Sequence, residues 1–311
     1  MPRPRHLYPQ ELAKIAQANS QPRVARPAVP SVTIVVLTLD RLHLTRRCIE
    51  SIYAHSDYPF ALLIHDDGSQ PETLAYLQEL QATYANVQLD IPPTHTGHII
   101  ARNRAFAQVQ TDYILSLDND MICHRGFLRE LMTCVMQHDA DFVSPLRLDL
   151  HSRVWAFAPE LIRTENESVL EIARWFHDLP LEYVQSFFAT TDVATNFIAG
   201  GAGLFSRAAF QACGGFDEGY LGGFEDLDFS LKLVERGYTV WATPRAVLTH
   251  DDEWLPETDA DVQYARSRYD AQKIMHPAEY FKARWGVDVL PTKYRVSFEQ
   301  RLERKLEAAR P

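Results

Sequence analysis

The chain predicts an α/β protein: a mostly parallel, Rossmann-like sheet flanked by helices, with a C-terminal helical extension. Three observations carry this. Apolar runs of buried-strand type alternate four times with helical patterns between Val32 and Leu117. The runs empty into polar clusters, Thr38-Leu39-Asp40-Arg41, Asp66-Asp67-Gly68-Ser69 and Asp118-Asn119-Asp120. Such alternation requires right-handed crossovers between parallel strands, and ligands then bind beyond the strands' carboxyl ends. One site built from three loops is the economical expectation.

The elements follow in order. Val32–Leu37 reads as the first strand, then a helix with Leu44, Cys48, Ile49, Ile52 and Tyr53 on one face. A strand over 60–64, a helix over 71–84, a short strand over 87–89, a helix over 99–109 and the strand Tyr113–Leu117 complete the first half. Beyond it we expect a helix near 126–137 and strands over 141–144, 154–158 and 183–187. A helix over 207–213 should close at Gly214-Gly215, and one over 224–235 at Gly237. Short strands are expected over 239–242 and 246–248. The Gly-rich run 199–205 lacks the Lys-Ser/Thr of a P-loop and does not match GxGxxG. Residues 1–30, rich in proline and arginine, read as a loosely packed arm. The main domain is placed at 31–252, in two halves, 31–120 and 121–252. Residues 253–311 form the extension, a charged helical covering layer.

A net charge of −10 with no basic stripe argues against nucleic acid as the main partner. Cys48, Cys123, Cys134 and Cys213 are scattered without a CxxC pair, which points to buried thiols, no zinc site and a reducing, cytoplasmic address. No apolar run approaches the ~20 residues that span a bilayer, and no hydrophobic signal segment opens the chain. The stretch Phe298–Ala309, with Arg301, Arg304 and Lys305 among Leu302 and Leu306, leaves room for peripheral membrane contact, although packing on its own domain is the simpler expectation.

The chemistry concentrates in acids. Asp118 and Asp120, one residue apart at a strand end, can both reach one divalent cation, or divide a cation and a sugar hydroxyl between them. Hard oxygen ligands in a loop suit Mg²⁺ or Mn²⁺ holding a diphosphate. Glu225-Asp226-Leu227-Asp228 opens a helix, where acids complement the helix dipole. The aromatic and glycine residues before it (Tyr220-Leu221-Gly222-Gly223-Phe224) let a ligand approach closely, so the same position suits a general base. His250 is either a structural hydrogen-bonder or an added cation ligand. Asp66-Asp67-Gly68-Ser69 is a plain turn or a base- or ribose-binding loop. Arg102 reads as a solvated charge, and Trp155, Trp175, Phe187 and Phe188 as core.

Taken together, the TLDR strand end, the HDDGS turn, the THTGHIIARN segment, the LDND strand end and the block GGFDEGYLGGFEDLDFSLKL resemble, in that order, an inverting GT-A glycosyltransferase of the large family 2 type. The resemblance runs from about Val32 to about Asp252, and it implies a nucleotide-binding half over 31–120 and an acceptor and catalytic half over 121–252. It implies a nucleotide pocket lined by Thr38 to Arg41, with Asp40 where the family commonly has Asn. Asp67, with Asp66, would contact the base, and Arg102 the base or diphosphate. Asp118 would touch the ribose or join the metal site; Asp120 and His250 would bind Mn²⁺ or Mg²⁺. Gly200 and Gly201 would run under the donor sugar. Asp226 would be the catalytic base, steadied by Glu225. One retaining group carries Glu-Asn where this chain has Glu225-Asp226, and the Asp favours inversion. The implied donor is a nucleotide diphosphate sugar, most commonly of uridine, and the enzyme a hexosyl- or N-acetylhexosaminyl-transferase. The acceptor would be a glycan, a lipid-linked sugar or a peptide. A nucleotidyltransferase would want a glycine-rich loop after the first strand, which Thr38–Leu42 lacks. A catalytically inactive glycan- or protein-binding relative would show damage among the acids, all of which are present.

Overall fold

A computed structural model describes residues 27–163, 169–251, 262 and 271–289. The arm, most of the tail before 271, and the stretch Phe298–Ala309 lie outside the described residues. Among these, the order is β1 (Val32–Thr38), α1 (Leu42–His55), β2 (Ala61–Asp66), α2 (Pro71–Thr83), β3 (Val87–Asp90), α3 (His98–Gln108), β4 (Tyr113–Asp118), β5 (Met121–Cys123), α4 (Phe127–His138), β6 (Phe142–Leu148) and β7 (Val154–Ala156). The hairpin of β8 (Glu160–Arg163) and β9 (Leu170–Ala173) follows, then α5 (Leu181–Phe188), β10 (Val193–Thr195), β11 (Ala202–Ser206) and α6 (Arg207–Ala212). A 3₁₀ turn (Glu218–Tyr220), α7 (Glu225–Arg236), β12 (Val240–His250) and α8 (Ala271–Trp285) complete it.

One sheet runs β10-β12-β6-β11-β4-β1-β2-β3, with β5 on β12 and β7 on β6. It is parallel from β4 to β3, as the fourfold alternation requires. Beyond β4 it is mixed: β11 lies antiparallel between β4 and β6. The pleat divides the core. Ile34, Val36, Leu62, Ile64, Leu115 and Leu204 enter one cluster with α1, α2 and α4. Val35, Leu63, Ile114, Phe142 and Phe205 enter the other with α3, α6, α7 and α8. Successive residues face opposite sides of a sheet, so these continuous apolar runs need both faces covered. The second cluster is built on aromatic rings: Phe106, Phe205, Phe210, Phe216 and Phe229 meet at centroid distances such as 4.9 Å (Phe106–Phe210) and 5.0 Å (Phe216–Phe229).

Two expectations of local structure are corrected. Residues 183–187 belong to helix α5 rather than a strand: Leu181, Val184 and Phe188 pack together at i, i+3, i+7 spacing, which outweighs the β preference of the aromatics. The strands expected over 239–242 and 246–248 are one strand, β12, interrupted by a bulge between Thr243 and Val247 where Pro244 lacks an amide donor. The Gly-rich run supplies β11. Among the described residues no helix is long and apolar enough to cross a membrane.

Candidate functional site

Sheet register gathers the site. Thr38 pairs with Asp66 across β1 and β2, and Leu37 with Asp118 across β1 and β4. On the other edge of β4 the Asp118 amide donates to the Gly201 carbonyl (2.8 Å), just before β11 begins. His250, the last residue of β12, pairs with Met121 of β5, and the Asp251 amide donates to the Asp120 carbonyl (2.9 Å). Residues far apart in sequence thus meet at one end of the sheet.

The loop after β1 is bent into an uncommon shape. Asp40 and Arg41 both hold positive φ, 51° and 50°. Such a conformation costs a non-glycine residue about 1–3 kcal/mol and survives only where surrounding bonds over-determine it. Here they do. The Asp40 amide donates to Ser69 Oγ (2.7 Å), and Asp40 Oδ1 accepts from the Gln70 amide (2.7 Å). Arg41 reaches back to the strand-end triplet, donating to Asn119 Oδ1 (2.6 Å) and Asp120 Oδ2 (3.3 Å).

Asp66 and Asp67 hold the neighbouring loop. Asp66 is sealed from solvent and accepts from the Thr38 hydroxyl (3.0 Å) and the amides of Gly68 (3.1 Å) and Ser69 (3.0 Å). Asp67 accepts from the amides of Thr96 and Gly97, both at 2.8 Å, and lies 2.9 Å from His95 Nδ1. Both carboxylates are occupied in bracing the turn.

The cation expectation can be tested on atoms. Arg41 takes Asp120 Oδ2. Asp120 Oδ1 is buried, accepts no hydrogen bond among the described residues, and lies 3.7 Å from His250 Nε2. A buried carboxylate oxygen without a donor is costly unless a ligand completes it. A carboxylate oxygen beside an imidazole nitrogen is a donor set that suits Mn²⁺, so these residues fit a divalent cation. Asp118 is turned partly away: Arg102 holds its Oδ1 at 2.8 Å.

Arg102 is no solvated charge. It is 2% exposed and bridges the two acidic sets, pairing Asp118 through one nitrogen and lying 3.6 Å from Glu225 Oε1 through the other. Gly200 and Gly201 make room for this pair: a Cβ at Gly200 would lie 2.8 Å from Arg102 Nη1, and one at Gly201 would lie 2.9 Å from Asp118 Cγ. Asn103 secures the opposite side, exchanging hydrogen bonds with Phe216 (2.8 Å to its carbonyl, 3.1 Å from its amide).

The acids that open α7 are driven apart in acidity. Burial would raise the Glu225 pKa, but His98 (3.4 Å) and Arg102 outweigh it and hold the group below the ordinary carboxylate range. Asp226 is pushed up to about 7, first by burial and then by the charge of Glu225; the Leu227 amide, Arg102 and Arg147 oppose this only partly. A carboxylate with its pKa near neutrality is poised to accept a proton.

Three residues around this site escaped the reading of the sequence as functional. Arg147 interrupts the otherwise uncharged strand β6, and that isolated charge in a buried run was the available signal. Its guanidinium stands 4.7 Å from the ring centroid of Trp155, and that of Arg174 stands 4.4 Å from the same ring. Trp155 presents its indole to the His250 ring at 5.0 Å, so it belongs to the site's wall. Trp175 and Phe187 are exposed rather than core. A separate grouping of Cys134, His138 and Asp192 has ligand atoms within 4.8 Å of one another, but Arg245 already pairs with Asp192 at 3.0 Å. All four cysteines are free and buried.

Comparison with known proteins bears directly on this arrangement. The profile of glycosyl transferase family 2 matches residues 33–211. The chain is 26% identical over 269 residues to O-antigen biosynthesis protein RfbC of Myxococcus xanthus, spanning 81% of this chain and 20% of that protein. It is 24% identical over 246 residues to a pre-mycofactocin glycosyltransferase of Mycobacterium tuberculosis, spanning 77% of this chain and 48% of that one. It is also 26% identical over 219 residues to that organism's N-acetylglucosaminyl-diphospho-decaprenol L-rhamnosyltransferase, spanning 66% and 70%. The chain thus covers less than half the length of the first two relatives. Among solved structures it is similar to the mannosyltransferase PcManGT from Pyrobaculum calidifontis in complex with GDP-Man and Mn²⁺, with a TM-score of 0.57 at 18% identity over 94% of this chain and 77% of that one. It is likewise similar to TarS of S. aureus in complex with UDP-GlcNAc, with a TM-score of 0.51 at 14% identity over 83% and 73%. At such identities the likeness speaks for the fold, which is the GT-A fold. The profile match over more than half of the chain, on a sheet of this topology, shows that the protein belongs to glycosyl transferase family 2.

Proposed function

We propose that the protein transfers a sugar from a nucleotide diphosphate donor, with a uridine nucleotide as first choice, to an acceptor hydroxyl with inversion. The observation that carries this reading is the bridge made by Arg102 between Asp118 at the strand end and Glu225 beside Asp226. It supports a reading in which the base stands beside the donor site, as single displacement requires. In this reading the acceptor hydroxyl attacks the anomeric carbon from the face opposite the diphosphate. The new C–O bond forms as the bond to the diphosphate breaks, the nucleoside diphosphate leaves with the electron pair, and the acceptor proton passes to Asp226. A hydroxyl is a weak acid, so the base must lie beside it and be ionised.

Asp120 and His250, with Asp118 nearby, would hold Mn²⁺ or Mg²⁺, which neutralises developing charge on a departing diphosphate. Arg41 orients Asp120, and Asp66 and Asp67 shape the base pocket by holding the loops at 68–69 and 95–97. Glu225, ionised and anchored by His98 and Arg102, keeps Asp226 basic. The acceptor is a glycan, a lipid-linked sugar or a peptide hydroxyl, read by the elements from β7 to β10. A cytoplasmic location with peripheral membrane contact accords with this assignment.

A thermal-shift panel of nucleotide diphosphate sugars, with and without Mn²⁺, tests it. A ligand at 100 times its Kd stabilises the native state by about 2.7 kcal/mol. We expect one donor to raise Tm, and to do so only with the metal. An intact protein indifferent to every donor under both conditions would overturn the proposal.

A further inference from the structure

Arg147 is 7% exposed. It sits in mid-sheet, paired through β6 with Ala156 of β7 and Leu248 of β12. Among the described residues its guanidinium meets no carboxylate and no hydrogen-bond acceptor; what it touches is the Trp155 ring. A cation removed from water without a partner is unfavourable unless something supplied from outside completes it. Every other buried arginine of the site is paired: Arg41 with Asp120, and Arg102 with Asp118 and Glu225.

The surroundings indicate which charges lie near this cation. Burial and the nearby Arg174 lower its pKa to about 10, and the charges that oppose this are Asp226 and Asp118. These are the candidate base and the strand-end acid, so Arg147 lies within the field of both, and its contact with Trp155, whose ring meets that of His250 at 5.0 Å, sets it beside the strand-end site. Trp155 fixes its position: a guanidinium over an indole face is held in orientation while its N–H donors stay available. Arg174, an exposed residue, lies over the same ring. A second cation near the first is unfavourable in isolation, and becomes favourable when an oxyanion binds. Planar guanidinium forks match phosphate oxygens in geometry as well as charge.

We propose that Arg147, with Arg174 across the Trp155 platform, forms a phosphate-binding site facing Asp226. This rests on the glycosyltransferase reading only for the source of the phosphate. It is either the donor's diphosphate or a phosphate carried by the acceptor, and the two are separable.

The test is calorimetric titration of wild type, Arg147→Gln and Arg174→Gln in Mn²⁺, using UDP, GDP, UMP and GMP, then inorganic phosphate added to protein saturated with the diphosphate that binds. If the donor supplies the phosphate, Arg147→Gln weakens the diphosphate tenfold or more and leaves the monophosphate within twofold. If the acceptor supplies it, the diphosphate binds unchanged, and inorganic phosphate binding to the saturated protein is lost in the variants. Both results support the site. Unchanged binding of diphosphate and of inorganic phosphate in both variants would overturn it. Removing an unpaired buried charge should not lower Tm; should Arg147→Gln fail to fold, Arg174→Gln at the exposed position decides. If wild type binds no nucleotide, the glycosyltransferase reading fails, and inorganic phosphate alone, bound by wild type and lost in Arg174→Gln, decides this one.

Discussion

Glu225 and Asp226 are consecutive carboxylates whose acidities are driven in opposite directions, the first below the ordinary range and the second up to about 7. Paired carboxylates pushed apart in this way divide the roles of fixed charge and proton acceptor. The acid limb of kcat/KM should therefore have a midpoint near pH 7, with activity rising as Asp226 ionises. Glu225→Gln removes the neighbouring charge, the second cause of the shift, and should move that limb to lower pH while leaving it above the ordinary carboxylate value, because burial remains. A limb that does not move would separate the two acids.

The same shift bears on stability. Folded Asp226 keeps its proton up to about pH 7, whereas the unfolded group loses it near its ordinary 3.8. The folded state therefore binds more protons within that window, and stability falls as pH rises through it. Asp226→Asn removes the penalty. Melting at pH 8 without ligand should show the variant a few degrees above wild type, while its transfer rate falls by about 10²–10⁴-fold. A variant that is no more stable at pH 8 than at pH 4, relative to wild type, would refute the burial argument.

Asp120→Ala should separate binding from chemistry in the other direction. It removes the buried Oδ1 beside His250, so donor affinity in Mn²⁺ should fall tenfold or more, about 1.4 kcal/mol at least. Donor affinity in excess chelator should hardly change. Calorimetry with and without chelator reads both, and equal losses in the two conditions would place the cation elsewhere.

The two glycines of the Gly200-Gly201 step should differ in tolerance. A methyl at Gly200 meets the far end of the Arg102 side chain, which can shift. A methyl at Gly201 meets the Asp118 carboxylate beside the backbone bond that joins β4 to the Gly201 carbonyl. Overpacking of this kind costs about 1–3 kcal/mol. Urea denaturation should rank Gly201→Ala well below Gly200→Ala in stability; parity would mean that Asp118 moves freely.

Asp228 should matter to stability although it takes no part in the proposed chemistry. Fully buried, it accepts from Trp285 Nε1 (2.9 Å) and Tyr220 (3.2 Å) and pairs with Lys232 (2.7 Å) and Arg284 (2.8 Å). This network fastens α8 to α7 two residues beyond Asp226. Asp228→Ala leaves Lys232 buried and unpaired, a loss of about 3–5 kcal/mol. Denaturant unfolding measures it, and a loss under 1 kcal/mol would show that the cations relax to water.

The first half of the chain was legible because β1, β2 and β4 are largely apolar and empty into polar loops, so that period and polarity change together at Thr38, Asp66 and Asp118. The candidate acids at 66–67 and 118–120 stood out for the same reason. What could not be read depends on tertiary contact. β11 follows two consecutive glycines, carries a third, and becomes a strand only between β4 and β6. The Leu181–Phe188 helix is aromatic and short, and its helical spacing shows only where Leu181, Val184 and Phe188 pack with Leu146, Leu148 and Val154. Arg102 has the sequence context of any helical surface arginine; its burial comes from Asp118, Glu225 and Phe216, which arrive from three other elements.

β11 reaches β4 from far along the chain, Ala202 pairing with Leu117 and Ser206 with Tyr113. A fragment ending after β7 would hold β1 to β4 and still leave one side of β4 bare, with unpaired amides beside a ready template for another copy. The strand ends that gather the candidate site therefore cannot mature ahead of the elements beyond β4. During synthesis the two halves should become protease-resistant together, once residues 202–206 have emerged, and fragments cut short of them should self-associate.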